Sequence, residues 1–232
     1  MPTKRRVSKI KSRKKSTATK ALALAKQNKK MISKTIENKQ TNYKQLPVQV
    51  STAGFASAGF FGVLQGAGDG TDSGSSNARI GNTVSLMRTL VKFNWDVASP
   101  QATSEQYNKV RLIVALSEDG SQTLGISDIL RYHNYTVDGD LVFASPYTTK
   151  TTTNKRYQIL MDKVFELNYG HRGSRQINLI KRYGKTGKAI NWDGNVSAAP
   201  VDYKLSVIAI TDSLATNHPT MSFAVRHTYK DA

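Results

Sequence analysis

The first 44 residues carry fifteen Lys and Arg and a single acid, Glu37, which is +14 of the formal +18 of the chain. The remaining 188 residues are close to neutral, with nineteen cations and fifteen acids. A segment of that composition cannot bury enough apolar surface to offset the entropy of ordering it. The fold must therefore be built from residues 45–232, with residues 1–44 as a basic arm. An arm of this kind neutralises a polyanion, and the body supplies the remaining properties of the protein.

The arm has two parts. Residues 1–20 combine high charge with no aromatic residue and read as disordered when free. Residues 17–39 are rich in Ala, Leu, Lys and Gln, all good helix formers. Ala21, Leu24, Ile32 and Ile36 define a weak apolar stripe, and Thr17 or Thr19 can cap the start. The helix is expected once phosphates screen its charges, so the arm is disordered-to-helical. The cations Lys4, Arg5, Arg6, Lys9, Lys11, Arg13, Lys14, Lys15, Lys20, Lys26, Lys29, Lys30 and Lys34 are the candidate nucleic-acid-binding residues. They act through phosphate neutralisation and counterion release, which carry no base-specific code. The same clusters also fit a nuclear import signal or a solubilising tail. A mitochondrial transit peptide shares the acid-poor start, but here the Lys residues are clustered instead of spaced along an amphipathic face.

The body reads as strands. Runs with β signatures fall at 83–97, 109–116, 141–144, 157–168, 176–183, 188–192, 203–211 and 222–229, separated by turn material such as Asp138-Gly139-Asp140 and Asp193-Gly194-Asn195. A short strand is also expected at Phe60–Leu64, followed by a mobile loop over 66–78, and a short helix at Ser127–Tyr132 capped by Ser127. Eight main strands with scarce helix predict an all-β, two-sheet antiparallel sandwich. The runs LIVAL at 112–116 and LSVIAI at 205–210 are apolar on both faces. That pattern suggests that the outside of the body is covered too, for instance by copies of the same chain.

Composition narrows the chemistry. There is no Cys, so disulfides, thiolate zinc sites and cysteine nucleophiles are excluded. No apolar run has the length of a membrane span, and no apolar segment follows the charged start as in a secretory signal. The four His residues, at 133, 171, 218 and 227, fall in no metal-binding spacing. Ser213 lies near His218 but lacks a nucleophile-elbow context. Gly66–Gly70 is glycine-rich without the Lys-Ser/Thr of a phosphate loop. No catalytic constellation emerges, and the chain is not expected to be an enzyme. Asp69 and Asp72 could bind Ca²⁺ or serve as polar turn residues. Most of the aromatic residues from Tyr132 to Tyr169 are expected in the core or at interfaces.

Several stretches in order resemble a known family. VLQG at 63–66 and RIGNTV at 79–84, then KVRLIVALSEDG at 109–120 with ISDIL at 126–130, are similar to the single-jelly-roll capsid proteins of satellite tobacco necrosis virus and of circular Rep-encoding single-stranded DNA viruses. RYQILMDKVFELN at 156–168, with Arg156, Leu160 and Asp162, is the most specific piece, and AITDSL at 209–214 and TYKDA at 228–232 complete the series. The segments 66–78 and 184–202 depart most from the family pattern. The resemblance implies an eight-stranded antiparallel jelly-roll sandwich as the shell domain. It also implies a virion location, with the host nucleus reached through the basic arm, and an icosahedral homo-oligomer whose simplest form has sixty copies. Sixty arms would present about 840 positive charges, enough for a genome on the order of a thousand nucleotides. Single-stranded nucleic acid is the implied partner, with DNA favoured over RNA. No cofactor is required, but structural calcium at subunit interfaces is implied as an option, with Asp231 matching a ligand position in the satellite virus group and Asp69 near another. Either acid could equally be an ordinary surface residue. The alternative is a non-viral nucleic-acid-binding protein with a β-sandwich body.

Overall fold

The computed structural model describes residues 17–35, 38–62, 79, 81–97, 107–148, 157–170, 173–194, 199–214 and 218–231, with side chains in the first helix as far as residue 28. The chain divides into two units, Met1–Glu37 and Asn38–Ala232.

In the first unit, helix α1 spans Thr17–Thr35. Its described side chains are all exposed, and Leu24 of the expected apolar stripe is 63% exposed. The basic clusters from Lys4 to Lys15 lie outside the described residues.

The second unit is built of strands β1 (Lys39–Gln49), β2 (Phe55–Gly59), β3 (Thr83–Asp96), β4 (Tyr107–Ser117), β5 (Tyr157–Asn168), β6 (Ser174–Arg182), β7 (Lys188–Asn191), β8 (Lys204–Thr211) and β9 (Thr220–Asp231). Two antiparallel sheets result. One has the order β1-β9-β3-β6, with β7 also pairing β3, and the other has the order β2-β8-β4-β5. With the short β7 set aside, the first strand pairs the last, the second the seventh, the third the sixth and the fourth the fifth. This is the order of a long hairpin rolled up on itself, consistent with a jelly roll.

The first strand begins six residues before position 45, the boundary expected from composition. KQTNYKQLPVQ is a polar edge strand whose register shifts between Gln45 and Val48, around Pro47. A residue without an N–H is tolerated at such an irregularity on an edge. Of the short strand expected at Phe60–Leu64, residues 60–62 are not in a strand and 63–64 lie outside the described residues; a strand is found just upstream, at Phe55–Gly59. Phe60 takes a positive φ of 66° directly after Gly59. That turn lets two consecutive rings, Phe60 and Phe61, both enter the core, which strand alternation would forbid. The run 141–144 is not a strand. Gly139–Val142 forms a 3-10 turn, which buries the consecutive residues Val142 and Phe143 on one side. The expected helix starts one residue earlier, as α2 (Ile126–Ile129). Its N-cap is Gly125, whose N–H donates to Asp128, not Ser127. A further helical turn, α3 (Tyr135–Asp138), is capped by the Asn134 side chain.

Alternation along the central strands divides the apolar residues between two cores. Leu112, Val114 and Leu116 of β4, with Leu205, Val207 and Ala209 of β8, face the main core between the sheets, opposite Val91, Phe93, Trp95, Phe223 and Val225. Ile113, Ala115, Ile208 and Ile210 point the other way, into a second cluster with Leu124, Ile129, Leu130 and Val142. The outer face of the four-stranded sheet is thus covered by the segment 124–142 of the same chain. This corrects the sequence-based inference, because two-sided apolar strands here do not require a second copy.

One buried ion pair pins that cover. Arg111, on β4, donates through Nε and Nη2 to the two carboxylate oxygens of Asp162 on β5, at 3.1 and 2.7 Å. Its Nη1 donates to the carbonyls of Val142 and Ser145, at 2.7 and 3.1 Å. The Tyr147 hydroxyl donates to Asp162 at 2.7 Å. Desolvation and the Asp162 carboxylate push the Tyr147 hydroxyl up to about 12. A guanidinium with its planar donors satisfied in this way can be buried at little net cost.

Candidate nucleic-acid interface

Two basic surfaces are on view, one in each unit. On α1, Lys20, Lys26, Lys29, Lys30 and Lys34 all fall within one half of the helix circumference at 3.6 residues per turn. The helix contains no acid. Ala18, Ala21, Leu24 and Ala25 fall in the other half.

The second surface was not anticipated from the sequence. Because strand residues alternate, the outward positions of the five-stranded sheet form rows across the strands. In register these rows are Gln40–Thr228–Arg88–Arg182, Asn42–Arg226–Leu90–Ile180, Lys44–Ala224–Lys92–Asn178 and Ser222–Asn94–Gln176, and beyond them Thr220–Asp96–Ser174. The first four rows hold five cations and five side-chain amides, with no acid and no aromatic residue; the fifth brings the carboxylate of Asp96, which accepts from Asn94 Nδ2 at 2.9 Å at the end of the face. Lys44, Lys92, Arg182 and Arg226 are exposed. A groove of about 430 Å³ lies over the third and fourth rows, lined by Lys44, Lys92, Asn94, Gln176, Asn178 and Ala224 among others. Ala224 makes the depression, as the short residue between two lysines. A smaller hollow, lined by Asn42, Leu90 and Arg226, adjoins it. The signal was available in the period-2 spacing of Arg88 and Lys92 in β3, but it could be seen only with the register of β9 and β6 in hand.

The remaining candidates are placed as follows. Asp231 accepts an ion pair from Lys39 at 2.5 Å, so an ammonium group already stands against it. Asp69 and Asp72 lie outside the described residues. Among the described residues, no group of three His, Cys, Asp or Glu side chains is gathered as a metal site would require. Ser213 and His218 do meet, with Oγ 3.0 Å from Nδ1. Ser213 is 1% exposed, however, and an oxygen sealed from solvent cannot attack a substrate. His171 is outside the described residues. His227 is fully buried, with Nδ1 2.9 Å from the Thr89 hydroxyl and the Phe61 ring at 4.5 Å. Burial drives its basicity down, to about 3. Among the described residues, no helix is long and apolar enough to cross a membrane.

No family model matches the chain, and no curated protein matches it. Among solved structures, it is similar to a chain of Desmodium yellow mottle tymovirus, with 10% identity, 84% of this chain and 87% of that one covered, and a TM-score of 0.39. It is also similar to a chain of the empty head of turnip yellow mosaic virus, with 8% identity, coverages of 85% and 82%, and a TM-score of 0.35. Broad bean stain virus gives 10% identity, coverages of 80% and 84%, and a TM-score of 0.30.

Proposed function

We propose that this protein is a viral capsid protein that assembles into a small icosahedral shell and packages a single-stranded genome through its basic N-terminal arm. The observation that carries the reading is the pairing of eight strands first to last, in two sheets, behind a segment, residues 1–38, of net charge +12. Rolled-up sandwiches of this order serve as capsid, lectin and cupin domains. A polycationic segment selects among these, because sugars and small carboxylic acids give no use for thirteen cations, whereas a polyphosphate does. The resemblance to satellite tobacco necrosis virus and the circular DNA virus group supports sixty copies as the simplest shell and DNA as the favoured genome.

The test is electron microscopy and light scattering of the purified protein, with nuclease digestion of what co-purifies. Uniform particles containing protected nucleic acid are expected. Deleting residues 1–30 removes twelve cations and no acid. Nucleic-acid content should then collapse while protein contacts persist. A monomer at all protein and salt concentrations would overturn the capsid reading. Equal packaging by the truncated chain would remove the arm from its role.

A further inference from the structure

We propose that the outward face of the five-stranded sheet is a second nucleic-acid-binding surface, along which the sugar–phosphate backbone of a single strand crosses Lys44, Lys92 and Arg226. The inference rests on the reading that the protein binds single-stranded nucleic acid, and it assigns part of that binding to the body.

Three observations support it. The first is charge. Four of its rows hold Lys44, Arg88, Lys92, Arg182 and Arg226 against a single carboxylate in the adjoining row, Asp96, which Asn94 Nδ2 engages at 2.9 Å, although the body as a whole is only slightly basic. Arg88 and Arg182 are register partners, which places two guanidinium-bearing side chains directly opposite each other. Like charges so placed are unfavourable unless an anion sits among them. The Arg88 Nε is buried and has no hydrogen-bond partner.

The second observation is shape. Neighbouring strands lie about 4.8 Å apart, so Lys44 and Lys92 flank Ala224 at roughly 10 Å, with the groove between them. That spacing lets two ammonium groups hold one strand from either side.

The third is the remaining chemistry of the face. Gln40, Asn42, Asn94, Gln176 and Asn178 offer donors and acceptors suited to sugars and base edges. The Asn42 amide oxygen already accepts from Arg226 Nε at 2.9 Å, which orients that guanidinium. Protein partners bury an apolar, aromatic-rich centre. This face has no aromatic residue, and a polar, positively charged surface is the usual composition of a nucleic-acid interface. Without stacking platforms, binding here is backbone-directed and indifferent to sequence.

The experiment uses the full-length chain and a short oligothymidylate, with affinity measured across salt concentrations. Lys44→Gln with Lys92→Gln is compared with a charge-matched pair on the other sheet, Lys163→Gln with Lys204→Gln. Each single-strand phosphate contact contributes about 0.7 to the log–log salt slope, so the face pair should lower it by about 1.4 and the control pair should leave it unchanged. Lys44→Arg with Lys92→Arg should restore the slope. Equal slopes for the face and control pairs would overturn the inference while leaving the arm's role intact. Failure of the intact chain to bind the oligonucleotide would remove the packaging reading and this inference together. If the face pair abolishes binding to phosphatidylserine vesicles but not to oligonucleotide, the surface belongs to a membrane partner and the inference falls.

Discussion

Acidification should weaken the body through one buried imidazole. His227 sits inside the main core. Its surroundings supply hydroxyls and rings but no charge: Thr89 is at its Nδ1, Tyr203 and Phe61 pack on it, and Nε2 has no partner. Protonating it would place a cation and an unsatisfied donor in an apolar interior, and the pKa accordingly falls from 6.5 to about 3. A base held neutral in the fold but free to protonate when unfolded contributes stability above pH 6.5, and that stability is lost as the pH falls toward 3. Between pH 7 and pH 5 the loss from this one group is about 2 kcal/mol. For a domain of this size it corresponds to roughly 4–8 °C in Tm. The assay is thermal unfolding at pH 7 and pH 5, at fixed salt and protein concentration, for the intact protein and for His227→Gln. The variant has its own packing cost, so the comparison is of pH dependence and not of absolute stability. The other three histidines are common to both proteins and cancel in the comparison. The variant should lose about 2 kcal/mol less on acidification. An identical pH dependence in the two proteins would refute the reasoning and show that water reaches the ring.

Three other perturbations follow from the packing. Asp162→Ala leaves Arg111 buried with its carboxylate gone, and urea unfolding should show a loss of about 3–5 kcal/mol; a loss below 1 kcal/mol would mean that the pair is solvated. Phe61→Ala removes the ring packed against Trp192, Tyr203, His227 and Tyr229 and should cost about 3–5 kcal/mol in the same assay. Gly120→Ala would place a Cβ 2.0 Å from the Pro200 carbonyl oxygen, so the turn must move and its bond from Gly120 N–H to the Val201 carbonyl must loosen. Faster amide exchange at Gly120 and a lower Tm are expected, and an unchanged Tm would show that this close approach is dispensable.

The long strands were legible because their apolar residues alternate or run continuously between turn residues. Tyr157–Asn168 is found with the expected bounds, and Thr83–Asp96 differs by one residue from the sequence reading. What was missed shares a physical cause. β1 is an edge strand that packs by one weak face, so its sequence is polar and carries no apolar alternation to read. Val142–Phe143 and Phe60–Phe61 bury consecutive residues by turning the chain, and a turn leaves no periodicity to read. The two-sided strands 112–116 and 205–210 were read correctly as doubly buried. Their cover was misassigned to other copies, because nothing in the sequence of 124–142 shows it folding back over the sheet, where Arg111 holds the carbonyls of Val142 and Ser145. In the candidate site, arm cations are visible as a run. Face cations are scattered over β1, β3, β6 and β9 and become a surface only through register.

With the outer face of the four-stranded sheet covered by the chain itself, the balance of forces in assembly changes, and salt provides the test. In the proposed shell each subunit would bring the +12 of residues 1–38, the part before the first strand, and closure would concentrate those segments in one small volume. At 0.1 M salt the screening length is about 10 Å, long enough for neighbouring arms to repel; at 1 M it is about 3 Å. Assembly without nucleic acid should therefore be favoured by raising salt. Binding to nucleic acid depends on releasing counterions and should be weakened by the same change. The two processes have opposite salt signs, and only an arm that both repels its copies and binds a polyanion produces that crossing. Nuclease-treated protein should scatter as particles at 1 M salt and as small species at 0.1 M, and added oligonucleotide should restore particles at 0.1 M. Removing residues 1–30 lowers the formal net charge from +18 to +6 and should flatten the salt dependence of assembly. Particles that form from nuclease-treated intact chain equally well at both salt concentrations would refute the argument, because the arms would then impose no electrostatic cost for the genome to relieve.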